Sequence, residues 1–495
     1  MKDFTLKSPD VKSNIPHSVQ NYMTEAALQY QKVRRAHWDK IADKRHKSSP
    51  AAYYHRRLTE IYQFLVPPNQ KVLEIGCATG DLLSQLKPSL VMGIDLSGEM
   101  VKHGTKRYPD INFIQGDAHH LCLNKKFDVI ILSDLVNDLW DVQSVFEEIR
   151  KISTPQTRII INTYSRLWEL PLVVAQRLGL ATQLLPQNWL TVEDLTGLLN
   201  IADIEVIRHW AEVLWPMDTP LLSRFFNRFV AKLWPFRYLD LANFIIARPI
   251  DKPELRKPMV SVIVPVRNEA GNIPHIFDRT PEMGSGTELI FVEGHSNDDT
   301  CSVIKKMIQD HPERQCHSFQ QTGVGKGDAV RLGFSKSSGD ILMILDADAT
   351  VPPEDLPRFY KVLQSGKGEF VNGVRLIYPI EKQAMRFLNL VGNKFFSLAF
   401  SWLLGQSVKD TLCGTKVLWK SDYERIAENR SYFGNFDPFG DFDLLFGSAR
   451  LNLKIVEMPV RYAMRTYGET NIRRWSHGWL LLRMVMFAAL RIKFI

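Results

Sequence analysis

Residues 71–83 read KVLEIGCATGDLL: a short apolar run carrying Glu74, a turn bounded by Gly76 and Gly80, then the start of helix-like sequence. Glycine suits a strand-to-helix turn because the backbone can bend sharply and a ligand can approach without meeting a Cβ. Taken alone the pattern is weak, since many α/β proteins keep such glycines for packing. Two further segments strengthen it. GIDLS (93–97) ends the next apolar run in Asp95, where a carboxylate can accept both hydroxyls of a ribose, and QGDAHHL (115–121) ends a third in Asp117.

Outward from this turn, apolar runs alternate with helix-length intervals: VMGIDL, INFIQGD, FDVIILSD and TRIIINTYS, with IEVIRHW and NFIIARP closing the series. That alternation predicts a parallel, doubly wound α/β sheet. Upstream, residues 16–65 are helix-like, with basic and aromatic residues intermixed, and suggest an N-terminal cap. Downstream, DKPELRKP (251–258) is rich in proline and charge and predicts an exposed linker. A second alternation follows in MVSVIVPVRNE, TELIFVEG, CHSFQQT, DILMILDAD and EFVNGVR, predicting a second parallel α/β sheet. The expected boundaries are a helical cap over 1–50, a first catalytic domain over 51–250, a linker over 251–258 and a second domain over 259–495.

The combination of VLEIGCATGDLL, GIDLS and QGDA resembles the class I S-adenosylmethionine-dependent methyltransferases over roughly residues 50–250. The resemblance implies a Rossmann-like sheet in which Glu74, Gly76 and Gly80 line the methionine part of the cofactor. It further implies that Asp95 binds the ribose and that Asp117 and Ala118 flank the adenine. A dinucleotide enzyme would instead show GxGxxG, whereas this turn runs Gly76-Cys77-Ala78-Thr79-Gly80. His119, His120, Asp134, Asn137 and Asp138 also stand near strand ends, open to use as a base or as acceptor contacts. Methyl transfer asks mainly for alignment, so no catalytic residue is assigned among them.

In the second half, the buried-strand pattern ILMIL runs straight into Asp346-Ala347-Asp348. Two carboxylates at a strand end repel unless a cation lies between them, and Mg²⁺ or Mn²⁺ carrying a diphosphate supplies one. A bare DxD is common by chance. Its context is VSVIVPVRNEAGNI, then VEGHSNDDT, then GVGKGDAVRLGF, a succession that resembles the family 2 glycosyltransferases of GT-A fold. VKDTLCGTKVL and LKIVEMPVRYAMRTYGETNI narrow the likeness to the polyprenyl-phosphate (dolichyl-phosphate) sugar transferases.

That resemblance implies a nucleotide-sugar site at Pro265, Asn268, Glu269, Glu293, Lys326, Asp346 and Arg465, and a metal at Asp346 and Asp348. Arg267, Glu293-Gly294, Thr350 and Asn471 depart from the family pattern, leaving a UDP- or a GDP-sugar open as donor. At the helix start in GDFDLL, Asp441 stands where many inverting relatives keep a base. The expected acceptor is lipid-linked. A polyprenyl phosphate needs cations rather than a base, and a hydroxyl acceptor needs Asp441. The alternative leaves the methyltransferase-like half as a docking module.

The formal charge of +8 and pI near 9.0 suit anionic partners without identifying one, and a nucleic-acid partner would leave the second half unexplained. Five scattered cysteines without CxxC spacing argue against a zinc site or a disulfide framework. With no signal-peptide pattern at the N-terminus, a cytoplasmic protein is expected. The apolar, basic C-terminus GWLLLRMVMFAALRIKFI is short for a span and is either an interfacial helix, peripheral at the cytoplasmic face of a membrane, or a core helix. FFSLAFSWLL (395–404) offers a second apolar face, and Arg224, Arg228 and Lys232 are expected to align along a third helix.

Overall fold

The computed structural model describes residues 17–42, 52–251, 256–375, 387–433, 440–460 and 474–494. The first half builds seven strands, β1 (Lys71–Ile75), β2 (Leu90–Asp95), β3 (Asn112–Gln115), β4 (Val129–Ser133), β5 (Arg158–Tyr164), β6 (Ile204–Glu212) and β7 (Ala242–Pro249), in the order β3-β2-β1-β4-β5-β7-β6. The isoleucine-rich β4 and β5 lie in the middle and are almost wholly buried, as strands covered on both faces must be. The expected parallel sheet needs one correction: β7 runs antiparallel to both β5 and β6. β7 slots between two strands that share a direction, and the chain from β6 reaches it through residues 213–241, which carry the short helix Leu222–Arg228.

The second half repeats the layered plan with β8 (Val260–Val266), β9 (Thr287–Glu293), β10 (Cys316–Gln320), β11 (Ile341–Ile344), β12 (Phe370–Val374), β13 (Lys416–Trp419) and β14 (Ile455–Pro459). Their order is β10-β9-β8-β11-β13-β12-β14. This sheet is also mixed, because β13 is antiparallel to β11 and β12. In both sheets the strand-end acids Asp95, Asp117, Asp346 and Asp348 sit at or just past the carboxyl ends of parallel strands, the edge where open α/β sheets bind ligands.

The two halves are docked. One cluster of buried apolar side chains extends from Tyr62, Phe244 and Ile246 in the first half to Phe400, Phe442 and Phe446 in the second. Polar groups finish the seam. Arg158 donates to Glu369 at 2.6 Å and to the Asn452 carbonyl at 2.9 Å, and Arg248 donates to the Gly366 carbonyl at 2.6 Å. Arg208 reaches the Asn452 side chain at 2.7 Å, and Lys454 pairs with Glu205. Within the expected linker, residues 252–255 lie outside the described residues.

The helix His17–Ala42 lies over the carboxyl edge of the first sheet, and Ala52–Leu65 packs into the core. The expected alignment of Arg224, Arg228 and Lys232 is not formed. The helix Leu222–Arg228 ends after seven residues, and Lys232 turns inward to pair with buried Glu212. The C-terminal helix Arg474–Ala488 packs on Phe387–Leu404, burying Leu481, Met484 and Ala488 while Trp479 and Met486 stay exposed. Among the described residues no helix is long and apolar enough to cross a membrane.

Candidate functional site

The turn after β1 takes the shape its glycines allow. Gly76 and Gly80 both have φ of 77°, a left-handed conformation that costs a side-chain-bearing residue energy. Asp95, at the end of β2, accepts hydrogen bonds from Ala78 N–H at 2.7 Å and Ser97 N–H at 2.9 Å, tying the first two loops together. Asp117 accepts from Gln31 at 2.6 Å and from His119 N–H at 3.0 Å, and its Oδ1 lies 2.7 Å from His119 Nδ1. Since His119 Nε2 accepts from Asp141 N–H at 3.2 Å, the neutral ring carries its proton on Nδ1 and donates it to Asp117. Burial pushes the Asp117 carboxyl up, but the His119 hydrogen bonds outweigh it and hold the group below its usual range.

Glu74, Gly76, Asp95, Asp117 and Ala118 all line one cavity of about 1420 Å³, whereas Gly80 bends the turn without being part of its lining. That volume exceeds the ~300–1,000 Å³ of a single small-molecule site, leaving space for an acceptor beside a cofactor. The roof comes from the N-terminal helix, where Arg34 pairs with Asp138 and Trp38 Nε1 donates to it at 2.8 Å. Asp134, with φ of 54°, follows β4 and accepts from Tyr54 O–H at 2.9 Å and Asn162 at 2.6 Å, both at Oδ1. Burial pushes its carboxyl up to about 7 against those two hydrogen bonds. Gln31, Arg34, Tyr54 and Asn162 were not singled out by the sequence, because their motif-free positions converge only when the cap folds over the sheet.

In the second half, Asp346 follows β11 and its Oδ1 lies 2.5 Å from Lys326 Nζ. Burial opposes both charges. The Lys326 ammonium nevertheless holds Asp346 below its usual range, and the carboxylates of Asp346, Asp441 and Asp348 hold Lys326 above its own. Asp348 accepts from the Thr350 hydroxyl at 2.8 Å and from its N–H at 3.2 Å, so the residue that departs from the family pattern fixes the second acid. Gly414 passes so close that a Cβ there would lie 1.9 Å from Asp346 Oδ2. Lys416, fully buried, lies 3.1 Å from Asp441 Oδ1 and donates to the Cys413 carbonyl at 2.5 Å. Lys416 and Gly414 sit in VKDTLCGTKVL without a role readable from the sequence.

The expected nucleotide contacts cluster past β8 and β9. Asn268 (φ 57°) accepts from Asn297 N–H at 2.8 Å, Glu293 accepts from Ser296 N–H at 2.6 Å, and Glu269 accepts from Asn272 at 2.7 Å. Pro265 is half-buried near the end of β8. Glu293 therefore orders the 294–297 turn. Asp441 heads the helix Asp441–Arg450 without capping it, so its carboxylate faces Lys416 rather than the helix N–H groups. Arg465 lies outside the described residues.

Comparisons with known proteins divide the chain in the same way. The family model described as Methyltransferase domain matches residues 67–200, and Glycosyl transferase family 2 matches residues 261–426. A dolichol-phosphate mannosyltransferase of Pyrococcus furiosus is 26% identical over 220 residues, covering 43% of this chain and 59% of the relative. An undecaprenyl-phosphate 4-deoxy-4-formamido-L-arabinose transferase of an Enterobacter species is 30% identical over 221 residues, covering 43% of this chain and 62% of the relative. The chain thus spans about three-fifths of the length of these relatives. Among solved structures, magnesium protoporphyrin IX methyltransferase of Synechocystis with bound SAH is 14% identical, covering 44% of this chain and 99% of that one at a TM-score of 0.32. The chain thus carries, in this order, a region that matches a methyltransferase domain and a region that matches glycosyl transferase family 2.

Proposed function

We propose that the protein transfers a sugar from a nucleotide-sugar donor to a polyprenyl phosphate and a methyl group from S-adenosylmethionine to an acceptor of the same glycan or glycolipid pathway. The observation that carries the sugar-transfer reading is the compact set of Lys326, Asp346 and Asp348 at one strand end, with Asp441 already engaged by Lys416. Asp346 and Asp348 would hold Mg²⁺ or Mn²⁺, which would supply positive charge against the departing nucleoside diphosphate. Lys326 would hold a donor phosphate, and Pro265, Asn268, Glu269 and Glu293 would frame the nucleoside. An ionised phosphate oxygen of the acceptor attacks the anomeric carbon as the bond to the donor phosphate breaks. No proton has to be removed, and Asp441 is poorly placed to remove one because its carboxylate faces a buried cation.

The acceptor test is Asp441→Asn, assayed with a polyprenyl phosphate and with a hydroxyl-bearing lipid-linked sugar. Transfer to the phosphate should persist within about tenfold, since the role left to Asp441 is to hold Lys416. If only the hydroxyl acceptor is glycosylated, and the variant loses that activity by ~10²-fold or more, the phosphate reading fails.

For the methyltransferase half, the cavity fits S-adenosylmethionine by size, by its glycine turn and by a strand-end carboxylate, and the cofactor supplies an electrophilic methyl. The residues present orient the reactants and exclude water. Asp95 keeps acceptor capacity for ribose hydroxyls beyond its two backbone hydrogen bonds. Asp95→Ala is expected to weaken cofactor binding at least ~10-fold by calorimetry, the ~1.4 kcal/mol scale of a lost charge-assisted hydrogen bond. Unchanged affinity would remove Asp95 from the site. The exposed face of the C-terminal helix pair, including Phe395, Leu398 and Trp479, would rest on the cytoplasmic face of the membrane that holds the acceptor.

A further inference from the structure

The methyltransferase half has an apolar surface that the two reactions leave unexplained. The helix Glu169–Arg177 has no buried residue. Leu172 and Ala175 line the methyl-transfer cavity, while Leu170 is 77% exposed and Val174 and Leu178 also face solvent. Trp168 Nε1 donates to the Leu239 carbonyl at 2.8 Å, joining this helix to the segment 221–239. There Leu221 is 88% and Trp234 75% exposed, with Phe225 and Tyr238 exposed beside them. The segment then meets the second half, since Phe229 packs on Phe494 at 5.3 Å and Phe494 on Trp402 at 5.7 Å. Apolar exposure that runs on from element to element in this way marks an interaction surface.

The charge pattern decides the occupant. Residues 219–239 contain no acidic residue, neither helix Phe387–Leu404 nor the chain from 474 onward has one, and residues 166–180 carry Glu169 against Arg166 and Arg177. Arg224 and Arg228 line a pocket of about 660 Å³ with Arg56 and Arg57. Arg56 pairs with Asp218 at 3.0 Å and Arg57 with Glu60 at 2.8 Å, whereas Arg224 and Arg228 have no acid partner among the described residues. A second copy of this chain placed on the same surface by a two-fold axis would bring arginine against arginine. An anionic bilayer meets both features, taking the apolar side chains into its interface and its headgroup phosphates onto the arginines.

We propose that residues 166–180 and 221–239 form a membrane seat of the methyltransferase half, continuous with the C-terminal helix pair and specific for anionic lipid. It rests on the proposed membrane attachment of the glycosyltransferase half and extends it. The seat brings the wall of the methyl-transfer cavity onto the same lipid surface as the sugar acceptor, so both reactions work on one membrane.

The test uses the full chain and sedimentation with vesicles of phosphatidylcholine, alone or mixed with phosphatidylglycerol. The wild type is expected to bind the mixed vesicles selectively. Leu170→Glu with Trp234→Glu, and separately Arg224→Glu with Arg228→Glu, should each weaken that binding by about tenfold or more. Unchanged S-adenosylmethionine affinity in calorimetry shows that the variants are folded. The proposal is overturned if the wild type ignores anionic vesicles or if both variants bind them like the wild type. It is equally overturned if the substitutions dissolve a dimer in vesicle-free solution and leave lipid binding intact. Sugar transfer to a short isoprenoid phosphate dispersed without vesicles should survive in both variants. Loss of that reaction in the wild type would instead count against the glycosyl reading, so the two failures are distinguishable.

Discussion

Asp348→Ala is expected to lower sugar transfer by about 10²–10³-fold or more, and a chelator should abolish turnover in the wild type until Mg²⁺ or Mn²⁺ is restored. Asp346 and Asp348 follow a fully buried strand, and Lys326 Nζ lies 2.5 Å from Asp346 Oδ1. Lys326 can neutralise one carboxylate or one donor phosphate, with Lys416 and Arg375 acting on Asp346 from farther off, and a diphosphate beside two carboxylates adds more negative charge than that ammonium offsets. A divalent ion resolves that imbalance. Asp348 is anchored by Thr350 through side chain and backbone, so removing the carboxylate deletes a positioned ligand rather than a mobile one. S-adenosylmethionine affinity, measured on the same variant, should be unchanged and would show that the chain is folded. Full activity in chelator would take the metal out of the reaction.

Asp95, Asp346 and Asp348 were legible in the sequence because they end apolar runs that become inner parallel strands, whereas Asp117 follows the mostly exposed edge strand β3 and was legible by its motif. KVLEI, VMGID and ILMI become β1, most of β2 and β11 almost residue for residue. What the sequence could not show is what crosses from distant elements. Arg34 meets Asp138 across 104 positions, and Tyr54 meets Asp134 across 80, with no local pattern announcing either pair. The two reversed strands escaped for a related reason: β7 and β13 have the same apolar composition as their parallel neighbours, and composition carries no direction. Lys232 misled differently. Helical spacing placed it with Arg224 and Arg228, but the helix ends at Arg228 and the pull of buried Glu212 turns the lysine inward.

Glu369→Ala is expected to destabilise the chain by about 3–5 kcal/mol, because it strands charge at the seam between the two halves. Glu369 accepts from Arg158 at 2.6 Å and from Lys454 N–H at 2.8 Å, and it lies 3.5 Å from Arg248. Both arginine side chains are almost fully buried, and only Arg248 keeps a second carboxylate, Glu205 at 2.7 Å. Without Glu369, the hydrogen-bond partners left to Arg158 among the described residues are carbonyls, and the buried Asp422 carboxyl, whose ionisation Glu369 opposes, offsets its charge only from a distance. Burial pushes the Glu369 carboxyl up, but Arg158 and then Arg248 outweigh it and hold the group below its usual range. The folded-state value is the depressed one, so this stabilisation is present above the unfolded carboxyl value of ~4.3 and is lost as pH falls through the folded value. Urea unfolding at neutral pH should therefore show the full loss, and the variant should lose less than the wild type on acidification. Because one apolar cluster crosses the seam, the wild type should unfold in a single transition that the variant splits in two. Joint replacement by Arg158→Met and Glu369→Leu should recover most of the loss, since two apolar partners leave no charge buried alone. Independent unfolding of the two halves in the wild type, at midpoints that Glu369→Ala leaves unmoved, would show that the seam does not couple them.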